Sequence, residues 1–120
     1  MKNHVFVYGT LKRGGSNHHL LAGQKFIAVA HTEPVYKLYT LGNYPAMVDA
    51  AQDGRSIEGE IWDVDEPCLG RLDKLEGLDE GLYKRAPIRL QPPQDQAVVE
   101  GYLYLLDVAG HRDSGTIWPV

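Results

Sequence analysis

One stretch of this chain, residues 65–77, has a helix's two marked ends, and nearly everything else breaks into short apolar runs bounded by glycine, proline and polar residues. Asp65 and Glu66 place a capping carboxylate and acidic charge at the start of that helix. Pro67 follows near the first helical position, where a missing N–H costs nothing, and Gly77 supplies the stop. The strand candidates are residues 5–8, 24–32, 35–40, 46–49, 56–62, 83–91 and 97–105. Breaks fall at Glu33-Pro34 and at the polar run Pro92-Pro93-Gln94-Asp95-Gln96, and the residues from Asp107 onward read as a tail. Strands that seldom alternate with helices exclude a doubly wound sheet. The expectation is an α+β fold, a small, mostly antiparallel β-barrel flanked by one or two short helices.

The 120 residues, 43% of them hydrophobic, suit one domain spanning 1–120 with one core. A net charge of −4 disfavours a nucleic-acid partner, which calls for a basic face. No apolar stretch approaches the roughly 18 residues of a membrane span, and Met1-Lys2-Asn3-His4 leads into the first strand without a secretory pattern. The expected setting is cytoplasmic, with no membrane partner. Cys68 is the single cysteine, so no intrachain disulfide forms, and its spacing on the helix makes it a buried core thiol rather than a nucleophile. Trp118, near the C-terminus, either packs across a homodimer or folds back on its own barrel as a monomer.

The first strand, Val5-Phe6-Val7-Tyr8, is apolar throughout and reads as buried on both faces. It stops at Gly9-Thr10, where glycine opens backbone angles closed to other residues, and a loop runs on to Ser16, Asn17 and a short helix at His18-His19-Leu20-Leu21. A turn of this kind presents free backbone N–H groups side by side, suited to a carboxylate or another anionic oxygen. It lacks the glycine spacing of a dinucleotide fingerprint and the Gly-Lys-Ser/Thr ending of a P-loop.

At about 100° per residue, Cys68, Leu69, Leu72 and Leu75 share one side of the helix, while Gly70, Asp73 and Lys74 share the other. Glu76 follows Leu72 by four and Leu69 by seven, so it projects near the apolar stripe in the last turn. Partial burial and the negative end of the helix dipole both raise a carboxyl pKa there, and a raised pKa suits proton transfer near neutrality. Helix geometry alone equally allows Glu76 to lie at the stripe's edge and reach solvent. Asp79 and Glu80, just beyond, are its rivals as the functional carboxylate. The loop that holds them, from Gly77 to Leu82, has a glycine on either side of them and is a candidate moving segment.

Other readings are simpler. In the 56–62 strand, Ile57, Gly59 and Ile61 alternate with Glu58, Glu60 and Trp62, so the two glutamates belong to a solvated face. Tyr104 shares a face with Tyr102 and either offers a hydroxyl to a pocket or packs on the barrel. Tyr83 and Arg85 share a face and suit a structural hydrogen bond or ion pair, and Tyr44-Pro45 suits a pocket rim. The histidines His4, His18, His19, His31 and His111 are dispersed without metal-ligand spacing, so no metal is expected. No serine sits in a nucleophile elbow.

Phe6-Val7-Tyr8-Gly9-Thr10-Leu11-Lys12-Arg13-Gly14 with Asn17, then Tyr44-Pro45, Glu58-Gly59-Glu60, Leu72-Asp73-x-x-Glu76 and Tyr83-x-Arg85, occur in one order. From Val5 to about Leu105 the chain resembles the γ-glutamylcyclotransferase-like family, especially its γ-glutamylamine cyclotransferase branch. The resemblance implies a small β-barrel with flanking helices and cleavage of a small-molecule γ-glutamyl amide, by internal attack, to 5-oxoproline and free amine without a cofactor. It implies Glu76 as catalytic acid/base and Tyr8, Gly9, Thr10 and Leu11 as the loop holding the γ-glutamyl moiety. A non-catalytic binding module of the same fold is the alternative, and Glu76 favours the enzyme.

Overall fold

The computed structural model describes residues 3–120, so Met1 and Lys2 of the opening segment lie outside the described residues. Eight strands and one α-helix follow in the order β1 (Asn3–Val7), β2 (Lys25–His31), β3 (Tyr36–Thr40), β4 (Pro45–Asp49), β5 (Glu58–Val64), α1 (Glu66–Leu75), β6 (Tyr83–Pro87), β7 (Glu100–Tyr104) and β8 (Arg112–Asp113). Five strands form one sheet in the order β2-β5-β1-β7-β6, and three form a second in the order β4-β3-β8. Pairing is antiparallel except between β1 and β7, so the α+β, mostly antiparallel class holds.

The expected closed barrel is not formed. The large sheet keeps two edges, β2 and β6, which meet only past their ends through the single bridge Thr32–Leu90. Beside that bridge the Glu33 N–H donates to the Arg89 carbonyl and the Gln91 N–H to the His31 carbonyl, both at 2.9 Å. The strand expected over 83–91 ends at Pro87, and beyond it the Ile88 N–H still donates to the Val99 carbonyl at 2.8 Å before the two chains part.

β1 is central because its residues are apolar on both faces. Phe6 faces a core shared with Leu38, Met47, Ile57 and Ile61, which lies toward the small sheet. Val5 and Val7 face a second core with Trp62, Leu69, Leu72 and Tyr102, which lies under the helix. Cys68 is buried in that second core, its thiol against the Leu20 carbonyl at 3.5 Å, and burial pushes its pKa up.

Helix α1 begins as its sequence dictates. The Asp65 carboxylate accepts the Cys68 N–H at 2.9 Å, and the Gln24 side chain accepts the Asp65 N–H at 2.9 Å. Asp65→Ala is therefore expected to cost about 1 kcal/mol of unfolding free energy, read as a lower midpoint in urea with an unchanged slope. Cys68, Leu69 and Leu72 are buried, but Leu75, the last helical residue, is 43% exposed and leaves the expected stripe.

Two further expectations are corrected. Glu60 is not on a solvated face: it is 7% exposed and accepts from the Trp62 indole, the Arg13 N–H and the Arg13 guanidinium. Burial pushes its carboxyl up, but those hydrogen bonds outweigh burial and hold it below the usual range. The residues from Asp107 onward are also not a loose tail. β8 pairs with β3, the Ser114 N–H donates to the Leu38 carbonyl, and the Glu58 N–H donates to the Thr116 carbonyl. Trp118 folds back on the first core, and its carbonyl accepts the buried Lys12 ammonium at 2.6 Å.

Candidate active site

The turn after β1, the end of α1 and the start of β4 enclose a cavity of about 260 Å³. Gly9 owes its place in that turn to a close approach rather than to unusual backbone angles, since it is absent from the glycines with positive φ. A Cβ there would lie 2.5 Å from Pro45 Cγ and 2.8 Å from Pro45 Cδ. The turn is held from behind. The Lys12 N–H donates to the Gly9 carbonyl at 3.1 Å, the Asn17 N–H to the Thr10 carbonyl at 2.9 Å, and the Asn17 amide to Thr10 Oγ1 at 3.0 Å. Asn17 thus serves the turn and makes no side-chain cap for the 3-10 helix His18–Leu21. Among the described residues, no hydrogen bond takes up the backbone N–H groups of Gly9, Thr10 and Leu11, all of which line the cavity.

Opposite this turn stands Glu76, the C-cap of α1. Its N–H closes the helix on the Leu72 carbonyl at 3.0 Å, and Gly77 reverses the chain at φ 66°. The side chain is half-buried and lines the cavity, and no hydrogen bond or ion pair among the described residues reaches its carboxylate. Burial pushes its pKa from 4.5 to about 7. The rivals Asp79 and Glu80 are exposed in the 3-10 turn Leu78–Glu80 and do not line the cavity.

Three tyrosines form the buried wall. Tyr8 donates to the Tyr102 carbonyl at 2.6 Å and accepts the Met47 N–H at 3.3 Å, joining both sheets. Tyr83 donates to the Pro45 carbonyl at 2.9 Å, and Tyr102 donates at 2.8 Å to Asp73, whose other oxygen takes the Arg85 guanidinium. Arg85 also pairs with Glu100 at 3.3 Å. Burial is the main cause that holds all three phenols well above their usual pKa, and the Glu76 charge adds to it in each case. These hydroxyls are spent on fixed acceptors, so the wall is rigid and its polar groups are quenched.

Of the residues expected at the site, Tyr8, Gly9, Thr10, Leu11 and Glu76 meet in one cavity, with Tyr44 and Pro45 beside them. Tyr104 does not join them: its ring packs edge-on against Tyr83 at 5.1 Å and is absent from the lining. Tyr83 and Tyr102 take the place foreseen for it. The period-2 alternation put Tyr102 and Tyr104 on one face, but only depth along β7 separates the residue at the cavity from the one beyond it. Among the described residues no group of three His, Cys, Asp or Glu side chains gathers as a metal site, and no helix is long and apolar enough to cross a membrane.

A family model described as gamma-glutamyl cyclotransferase, AIG2-like, matches residues 5–118. The chain is 40% identical over 100 residues to the human gamma-glutamylaminecyclotransferase, covering 78% of this chain and 65% of the human protein. It therefore spans just under two thirds of that relative. A crystal structure of an AIG2-like protein from Mus musculus superposes with a TM-score of 0.72 at 30% identity, covering 88% of this chain and 77% of that one. A uropathogenic E. coli-specific protein superposes with a TM-score of 0.79 over 95% of this chain and 88% of that one, and at 24% identity it shows the fold alone.

Proposed function

Since the chain belongs to the gamma-glutamyl cyclotransferase, AIG2-like family, we propose that it converts a small γ-glutamyl amide to 5-oxoproline and the free amine. The observation that carries this reading is Glu76, its pKa raised to about 7, lining one cavity with Gly9, Thr10 and Leu11, where among the described residues neither its carboxylate nor their backbone N–H groups have a hydrogen-bond partner.

The α-amine of such a substrate is protonated near neutrality and cannot attack until a base removes a proton. Glu76 is that base. The freed nitrogen attacks the substrate's own γ-carbonyl, closing a five-membered ring, so catalysis is largely a matter of folding the substrate back on itself. The rigid wall of Tyr8, Tyr83 and Tyr102 limits the conformations available to it. Backbone N–H groups of the turn either hold the α-carboxylate or take up the negative charge that develops on the carbonyl oxygen. As the C–N bond to the leaving amine breaks, protonated Glu76 gives its proton to that nitrogen, which restores the carboxylate, and the surplus proton of the ring nitrogen passes to the freed amine, which departs as an ammonium. No cofactor enters this sequence.

The test is a product analysis. Purified protein incubated with γ-glutamyl amines and γ-glutamyl amino acids is expected to release 5-oxoproline and amine in equal amounts, followed by mass spectrometry. Glutamate in place of 5-oxoproline would mean that water, not the α-amine, attacks. No turnover across the panel would leave the fold as a binding module.

A further inference from the structure

Resting on the cyclotransferase reading, we propose that Asp73 and Arg85 are positioning residues for Glu76, forming a tether from the large sheet to the last turn of α1 that keeps the Glu76 carboxylate in the cavity. Glu76 stands at a helix end, where turns fray, and among the described residues no hydrogen bond reaches its carboxylate. Its place is therefore set through the backbone. Leu72 is the last buried residue of α1, and Lys74 and Leu75 beyond it are exposed. Among the described residues, the side-chain hydrogen bonds of 73–76 all belong to Asp73. One of its oxygens accepts the Tyr102 hydroxyl at 2.8 Å, and the other takes the Arg85 guanidinium. Tyr102 and Arg85 lie directly opposite each other on β7 and β6, so two strands converge on one carboxylate. Glu100 of β7 braces Arg85 in turn, at 3.3 Å. Glu76 follows Asp73 by three residues, less than one helical turn, so holding Asp73 holds the direction in which Glu76 projects.

Neither Asp73 nor Arg85 lines the cavity, and neither charge acts on Glu76 directly, since burial alone raises its pKa. The titratable groups that face Glu76 are the phenols Tyr8 after β1, Tyr44 before β4, Tyr83 of β6 and Tyr102 of β7, and the lining holds no Lys, Arg, His or second carboxylate. A tether and a charge acting through space then differ in sign. Removing the Arg85 cation by itself raises the pKa of a carboxyl nearby, whereas releasing the helix end lets Glu76 reach water and lowers it.

The test follows the Glu76 carboxyl by carbon NMR in protein labelled at its glutamate side chains, with Glu76→Gln assigning the signal, beside the pH profile of kcat/KM. Asp73→Ala is expected to bring the midpoint down from about 7 by about one pH unit, move the rising limb of kcat/KM with it, and lower the rate at pH 8 by about 10²-fold. Arg85→Met keeps the Tyr102 bond, serves where Asp73→Ala does not fold, and is expected to bring the midpoint down by about half a pH unit. Arg85→Lys restores a cation for Asp73 and is expected to stay close to wild type. A midpoint that stays or rises in Arg85→Met overturns the tether, even if the rate falls, because an ion pair that only supports the fold leaves the Glu76 titration where it was. If the midpoints fall as expected but no γ-glutamyl substrate turns over in wild type, the tether stands and the cyclotransferase reading falls.

Discussion

Glu76→Gln is expected to lower 5-oxoproline formation by about 10³-fold and, at the same time, to make the protein more stable above pH 7. Glutamine keeps the shape of the side chain but takes no proton from the α-amine and gives none to the leaving nitrogen. The stability effect follows from the same burial that suits Glu76 to its role. Its folded pKa of about 7 lies above the ordinary 4.5, so the folded state binds this proton more tightly than the unfolded chain does. That contribution is fully present below pH 4.5 and is lost as pH rises through about 7. Fully ionised, the buried carboxylate costs up to about 3 kcal/mol. Denaturant titrations of both proteins at pH 5.0 and 8.5 read this directly, with Gln gaining on wild type at the higher pH. Wild-type kcat/KM should rise with pH along a limb centred near the Glu76 pKa of about 7. A stability difference that does not change with pH would sink the burial argument, and a fully active variant would sink the base.

Gly9→Ala is the second large effect. The backbone of Gly9 is open to alanine, so the loss comes from the added methyl, placed 2.5 Å from Pro45 Cγ. Neither partner can rotate away, because one is a turn pinned by Lys12 and Asn17 and the other a proline ring. Moving Pro45 also moves the carbonyl that holds the Tyr83 hydroxyl, so the turn, the rim and the wall shift together. Displacements of about 1 Å in a positioning site cost about 10²-fold in rate, and overpacking costs about 1–3 kcal/mol of stability. Steady-state kinetics at a temperature where both proteins are folded separate the two. Unchanged kcat/KM would show that the turn does not set the reacting geometry.

The features legible in the sequence were those decided by neighbours along the chain. The Asp65 cap, Pro67, the Gly77 stop and the projection of Glu76 all depend on residues within about two helical turns, and α1 forms between those marks. The double-sided burial of Val5 to Tyr8, the end of β1 and the residue after it, was equally local, being four apolar residues in a row. Features that depend on distant partners were not legible. Alternation put Glu60 with Glu58 on a solvated face, and only the arrival of Arg13 from the loop and the Trp62 indole explains its burial. Nothing local in residues 107–120 announces that β8 joins β3 or that Trp118 receives Lys12. Barrel closure failed on the same ground, since the strand count was nearly right but the meeting of β2 with β6 is decided beyond Pro87.

The chain's two tryptophans are both tied to the back of the turn after β1. Trp118 takes the Lys12 ammonium on its carbonyl, while the Trp62 indole shares Glu60 with Arg13 and meets His18 edge-on at 5.3 Å. Neither indole lines the cavity, so a bound molecule does not quench them by contact. A ligand that shifts the turn is expected to change the surroundings of the Trp62 indole through Arg13, Glu60 and His18, so that its native fluorescence would report occupancy without a dye or a turnover event.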